Sequence, residues 1–445
     1  MEINSTKKDN MISMNLLYPI ISIFAFASSL RFLGYKMAFL VALMILAAPF
    51  FAKRKFLTLN LFLIGYPFLP DMITLLGAFA ILFLYIVDIY VYKREKIFLS
   101  TFYVPVALVF VFIFINTFTS LDIFGSLRDF SMNVAGISIF LAIVTSIKTK
   151  EDYNKIATSL AIGAAFVCLW GILQFKFFGT VQREWVDADV SSQISARAYS
   201  VFMNPNVFAE YIVLLTPIVV SLFWAHKDGF KKFVFLGITG LLLLSMLLTF
   251  SRGGIMSVGV SALVFLFFNY RALIALAIPF ALLGMNFLPE SIRNRIMSIT
   301  NVKDSSTSYR FKIWSITKDV VKDHPQVGVG FGHKPFKETF ETYIRSMPIF
   351  HAHNTYLQVM AEGGYTGFIT FLVVVVVSIV QTIRVIYNTK SSIVKTFACG
   401  VLASIAGILV HGMFEDIIYI NRIIMMIWIV LALSTSLTTI AKQEN

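Results

Sequence analysis

Residues 351–367 read HAHNTYLQVMAEGGYTG and stand directly before one of the most apolar runs in the chain. Imidazole titrates near neutral pH, so His351 and His353 are the first candidates for moving a proton. Asn354 is a good N-cap, and TYLQVMAE can run helically to Gly363 and Gly364. This cap places His353 at a helix N-terminus, where the partial positive charge disfavours imidazolium. A neutral ring there can accept a proton as a general base. The competing reading is a hydrogen-bonded structural histidine. His351 is the weaker candidate, since it can simply face water.

Three arginines occupy comparable positions near the ends of apolar runs. Arg197 lies in SARAYSVFMNPNVFAEY, Arg252 in TFSRGG, and Arg310 at the start of a helical pattern. Permanent charge at the edge of hydrocarbon is costly and calls for a partner. The planar guanidinium matches phosphate oxygens and keeps its proton, so converging arginines would suit a lipid-borne diphosphate. Taken singly, each arginine can instead snorkel to the interface or pair with a loop acid, the reading that fits Arg31, Arg128 and Arg422. His411 and Glu415 are four apart at the end of a late apolar run. On one helix face they either orient groups in a site or tie two helices together. Asp187 and Asp189 form a polar DAD, yet no cluster has convincing metal-ligand spacing, so neither a metal nor another cofactor is expected. The glycine-rich GVGFG at 328–332 is not a phosphate-binding loop of the Gly-Lys-Ser/Thr type.

These residues must be positioned by membrane helices. The chain is 58% hydrophobic and only 14% charged, with a mean hydropathy of +0.80. About 20 apolar residues make a helix that crosses hydrocarbon. The pattern predicts an all-α polytopic membrane protein with spans near 12–30, 37–52, 57–70, 72–92, 102–118, 132–147, 156–175, 206–225, 233–249, 255–269, 272–288, 365–386, 392–410 and 422–440. The member at 57–70 is short, which allows twelve to fourteen spans. Fourteen places the basic clusters at Lys53–Lys55, Lys93–Lys96, Lys148–Lys155, Lys227–Lys232 and Arg384–Lys390 on one side, as the positive-inside rule requires. Both chain ends are then cytoplasmic. No cleavable signal peptide is evident, and the first apolar run reads as a span. The net charge of +13 is distributed as loop punctuation, which argues against nucleic acid as a partner. Cys168 and Cys399 lie inside apolar runs and read as small buried side chains.

The charge pattern leaves 176–205, 251–254 and the long loop 289–354 on the outer side. Within that loop Tyr309, Ile313, Ile316 and Val320 recur at helical spacing up to His324-Pro325, and Phe336, Phe340, Tyr343 and Ile344 follow Pro335. Both stretches predict helices lying at the membrane surface. The chain divides into N-terminal spans 1–155, a membrane domain 156–440 that includes loop 289–354, and a short tail 441–445.

His353-Asn354, nine residues, Gly364, two residues and Gly367 resemble the H-[NSQ]-x9-G-x-x-G signature of the O-antigen ligase and polysaccharide polymerase superfamily. NPNVFAEY after an arginine, SRGG, YRFKIWSITKDVVKDHPQVGVGFG and HGMFED follow that family's order over 197–416. The resemblance implies a GT-C-type membrane glycosyltransferase on the outer face of the bacterial cytoplasmic membrane. Such an enzyme moves a glycan from undecaprenyl diphosphate to a glycan or lipid acceptor without metal or nucleotide sugar. Other polysaccharide-assembly membrane proteins would be its partners. By motif position, Arg197, Arg252 and Arg310 correspond to diphosphate-contacting arginines and His353 to the essential histidine. The implied catalytic pair is His353 and Arg310, with Arg197, Arg252, Asn354, His411 and Glu415 around the diphosphate and glycan. Ala352 separates the two histidines, unlike the adjacent pair of some ligases.

The resemblance leaves two reactions open: polymerisation of repeat units, which is favoured, and ligation to lipid A core or another terminal acceptor. A transporter or flippase is the reading from a different class. It would place ionisable residues near the membrane midplane. Asp88 is the main acid within a span and sits near the inner end.

Overall fold

The computed structural model describes residues 50–51, 53–90, 100–178, 196–297, 305–347 and 349–444. The predicted span 12–30, most of the predicted span 37–52, Arg31, and Asp187 and Asp189 lie outside the described residues. Among those described, helices and their connections are the only regular structure. In chain order the helices are α1 (Lys55–Gly65), α2 (Asp71–Tyr90), α3 (Tyr103–Phe118), α4 (Ile123–Ser146), α5 (Lys150–Phe177), α6 (Pro205–Ala225), α7 (Gly229–Thr249) and α8 (Arg252–Asn269). They continue with α9 (Ile274–Gly284), α10 (Glu290–Met297), α11 (Ser305–Asp323), α12 (His333–Tyr343), α13 (Thr355–Asn388), α14 (Ser392–His411) and α15 (Asn421–Glu444). Nine of the described helices, α2, α4 to α8 and α13 to α15, are long and apolar enough to cross a membrane. The protein is therefore an all-α multi-pass membrane protein.

Three predicted spans come out short. The 57–70 stretch gives the 11-residue α1, ended by Gly65 and a single 3-10 turn holding Pro67. The 272–288 stretch gives α9, also 11 residues, with Pro279 inside and a 3-10 turn on each flank. Proline removes a backbone donor and crowds the preceding turn, so neither stretch sustains one long helix. The third, α3, has 16 residues.

The interior of the bundle is built by α6, α14 and α15, most of whose residues are buried. Their close approach rests on small residues. Gly400 and Gly407 of α14 face Ser221 and Ser261, where an added Cβ would lie within 2.7 and 2.0 Å of side-chain atoms. Helices α2, α7 and α8 leave large apolar side chains exposed, including Phe83, Leu236 and Phe267. Such a belt fits hydrocarbon.

Helix direction sorts the loops. The turns at 147–149, 226–228 and 389–391 lie at one end of the bundle, where Lys150 of α5 meets Glu444 of α15 at 3.0 Å. The segments at 196–204, 250–251, 351–354 and 412–420 lie at the other end. The basic clusters at Lys148–Lys155, Lys227–Lys232 and Arg384–Lys390 and the candidate site residues therefore occupy opposite ends.

Helices α11 and α12 form where the sequence places them. Their apolar residues Ile313, Val320, Phe336 and Phe340 close on one another and on Ala361 of α13, forming a separate core. Much of the apolar surface expected to rest on the bilayer is thus covered by protein. This core braces the first turns of α13.

Candidate functional site

Asn354 caps α13: its Oδ1 accepts from the Leu357 N–H at 3.0 Å. The helix breaks at Gly364, with φ 60° and ψ −161°, a backbone region essentially reserved for glycine. A Cβ at that position would meet the Gln326 carbonyl carbon at 2.4 Å. The break frees carbonyls for the 325–332 turn. Val329 N–H donates to Ala361 O, Gly330 N–H to Glu362 O, and Tyr365 N–H donates back to Pro325 O. Gly367 lies against Phe112 of α3. The spaced glycines therefore lock the glycine-rich turn onto the helix that carries the histidine.

The 351–354 turn is fastened on both sides. Trp314 Nε1–H of α11 donates to Ala352 O at 3.1 Å, and Ala352 N–H donates to Gln358 Oε1 at 2.7 Å. Thr355 Oγ1–H donates to Glu415 O, and Asn354 Nδ2–H to Met413 O. His353 is held at φ 49°, an uncommon backbone state for a residue with a side chain.

The His353 Nδ1 lies 2.7 Å from Glu415 Oε2. An ionised carboxylate only accepts, so Nδ1 carries the proton and Nε2 the lone pair. The other carboxylate oxygen, Oε1, accepts from Asn206 Nδ2 at 2.9 Å and lies 3.6 Å from the Arg310 guanidinium. Asn206 Oδ1 in turn accepts from Arg197 at 3.1 Å, and Arg197 Nε–H donates to Thr249 O at 2.7 Å. One connected series therefore runs Arg197, Asn206, Glu415, His353, with Arg310 at its side. The imidazole is 28% exposed, while Glu415 is 5% exposed.

Burial alone would raise the Glu415 carboxyl, but His353 and Arg310 together hold it well below the usual range. Glu415 is an anion at neutral pH. Burial pushes Arg197 down to about 9, with nearby Arg295, Arg310 and Arg252 adding to the push and Glu415 opposing it. This is the signature of cations crowded in a low dielectric, which an incoming anion would relieve. Desolvation, with His353 alongside, pushes His351 down to about 3, so that ring is neutral.

The structure brings together four of the residues singled out by sequence: Arg197, Arg310, His353 and Glu415. Arg252 opens α8 behind them, at a Ser251 cap, and acts on Arg197 through its charge. Asn354 caps α13, as its place before TYLQVMAE implied. Both ends of its amide are engaged by the protein, as cap and as donor to Met413. His411 takes the second of its two readings, a tie between helices. Helix α14 ends at His411, so Glu415 does not share its helix face, and His411 turns instead to Glu210 of α6 at 3.7 Å in a sealed position. Three participants were not singled out: Asn206, Arg295 and Trp314. Asn206 is two residues beyond the Asn204 cap of α6, and NPN was the only signal for it.

His351, His353 and Glu415 each offer one ligand atom within 4.8 Å of the others, a grouping that could hold a cation. The oxygens of Glu415 already serve His353, Asn206 and Arg310, and the arginines surround the same point. That field opposes a dication.

Residues 237–372 match the family model described as O-Antigen ligase, Wzy_C. Over that stretch the chain is similar to O-antigen ligases. The stretch spans Arg252, Arg295, Arg310, His353 and the glycine break, while Arg197, Asn206 and Glu415 reach the site from outside it. No curated protein matches the chain.

Proposed function

We propose that the protein transfers a glycan from undecaprenyl diphosphate to a sugar hydroxyl at the outer face of the cytoplasmic membrane. The observation that carries this reading is the Glu415-bound imidazole of His353 standing against Arg310 and Arg197. His353 Nε2 takes the proton of the acceptor hydroxyl. The oxygen attacks the anomeric carbon as the bond to the diphosphate oxygen breaks, inverting that carbon. Undecaprenyl diphosphate leaves with the bonding pair, and the imidazolium is held by Glu415 until it releases its proton to water. Arginine cations fixed before the reaction stabilise the charge that develops on the leaving group. A diphosphate so stabilised needs no acid to depart, and no step requires a metal.

The test uses the full chain in nanodiscs with a carrier-linked oligosaccharide as donor. Replacing the base should slow transfer by about 10²–10⁴-fold. Near-normal turnover in His353→Ala would remove the role given to this histidine. Products resolve the acceptor. Elongated carrier-linked repeats mark a polymerase, the favoured reaction, and glycan on lipid A core marks a ligase.

A further inference from the structure

The connected series does not stop at His353. Its ring lies 4.2 Å from that of His351, His351 lies 4.7 Å from Tyr419, and Tyr419 lies 5.1 Å from His333, measured between ring centroids. At this point a cavity of about 420 Å³ opens, within the range of ~300–1,000 Å³ common for small-molecule sites. Asp71, Arg128, Asp129, Tyr419, Asn421 and Arg422 form much of its wall. None of them enters the transfer step described above.

The chemistry here is unlike that of the arginine end. Asp71 accepts from Asn421 Nδ2 at 2.7 Å and pairs with Arg128 at 3.4 Å. Asp129 faces His333 Nδ1 at 2.8 Å and accepts from the His333 N–H at 3.2 Å. Gly332 makes that approach possible. Its φ is +98°, and a Cβ there would fall 2.4 Å from the Asp129 carboxylate. Both carboxylates are thus fixed by protein donors before any ligand arrives. Arg422 is committed elsewhere, donating to the carbonyls of Val201 and Leu69. Fixed carboxylate acceptors, an amide and a phenol ring can bind sugar hydroxyls while the ring's apolar face lies on the aromatic. Arg128 and Arg422 balance the two carboxylates, so the cavity lacks the excess positive charge that a diphosphate needs.

We infer that this cavity is the acceptor subsite, holding an uncharged sugar ring so that one of its hydroxyls reaches His353 Nε2. The assignment rests on the transfer reaction proposed above. It divides the site by charge, with the leaving diphosphate among unbalanced arginines and the attacking sugar in a cavity whose carboxylates and arginines balance.

Two probes on the full chain in nanodiscs separate the halves. Undecaprenyl diphosphate without sugar reports on the arginine end. A neutral repeat-unit oligosaccharide, released from its lipid, reports on the cavity. Tyr419→Ala and Asn421→Ala should each weaken oligosaccharide binding at least tenfold and raise the acceptor KM in proportion, with undecaprenyl diphosphate binding held within twofold. Arg310→Ala should show the reverse. Tyr419→Phe keeps the ring and should stay within threefold of the parent, which separates lost recognition from lost folding. Unchanged oligosaccharide affinity in both cavity variants, or its loss in Arg310→Ala alone, overturns the subsite and leaves the transfer reaction standing. Failure of the parent protein to bind undecaprenyl diphosphate overturns both.

Discussion

Of the three histidine–carboxylate pairs near the same end of the bundle among the described residues, His353–Glu415 and His411–Glu210 differ in every respect that matters for chemistry. In His353–Glu415 the heavy atoms are 2.7 Å apart, and the imidazole is 28% exposed. In His411–Glu210 the gap is 3.7 Å and both side chains are at most 2% exposed. Residue type does not separate a working pair from an idle one here. Hydrogen-bond distance fixes the tautomer, and access lets a substrate reach the free nitrogen. The first pair also has a third member, Arg310, which keeps the carboxylate ionised; the second pair has no cation in contact among the described residues.

The comparison breaks most sharply at Glu415. Glu415→Gln keeps the shape but presents an amide to His353 Nδ1, which loses the fixed tautomer and the counter-charge for imidazolium. Transfer in Glu415→Gln should fall about 10²–10⁴-fold, as for loss of the base itself. Measured kcat should carry the loss, with undecaprenyl diphosphate binding changed far less. A parallel loss of binding would make Glu415 a structural anchor instead.

Gly364→Ala tests whether the pair depends on the helix break. The substitution needs a left-handed backbone and pushes a methyl into the Gln326 carbonyl. We expect loss of most folded protein, read as a collapse of the monodisperse fraction in detergent, whereas Gly284→Ala, with open space around it, should express normally.

Next in size is a pH effect. Burial raises the Asp416 carboxyl to about 7, and Glu415 beside it adds to the rise. Its folded value exceeds the unfolded one, near 4, so the folded state binds the extra proton between those limits. Stability should therefore fall as pH rises from about 4 to 7 and then level off. Asp416→Asn should flatten that slope and raise the melting temperature at pH 8 by a few degrees, of the order of 2–4 °C per kcal/mol for a chain of 150–250 residues and less for a longer one. An unchanged slope in thermal unfolding from pH 5 to 8 would assign the titration to another group.

How much of this was legible beforehand follows from contact range. Nine of the predicted spans, the Asn354 cap, the stop before Pro325 and the break at Gly363-Gly364 are set by neighbours within a turn or two, and these were readable. So were the arginines and His353, because their motif order carries them. The partner of His353 was not. Glu415 lies 62 residues away and was paired by spacing with His411, a reading that assumes a helix continuing past Gly412. The helix ends instead, and the next residues turn back to Thr355 through the bonds from Thr355 Oγ1 to Glu415 O and from Ile417 N–H to Thr355 Oγ1. Asn206 and Trp314 were missed for the same reason, since their contacts join distant segments. The surface helices were found, but the protein that covers their apolar faces comes from each other and from α13.

The smallest effect belongs to the sealed pair. His411 and Glu210 are buried where desolvation is costly, and at 3.7 Å from one another they recover little of that cost. Removing one partner should still destabilise the protein, by about 1–3 kcal/mol for a buried polar group left alone. Replacing both with apolar residues removes the polar burden entirely and is often neutral or stabilising. Glu210→Leu and His411→Leu singly should therefore lower the melting temperature, and the double variant should recover it. Transfer in the double variant should stay within about fivefold of the parent, a small effect beside that of Glu415→Gln. A double variant that folds normally but loses transfer as Glu415→Gln does would mean that the sealed pair acts through Glu415, and the contrast between the two pairs would fail.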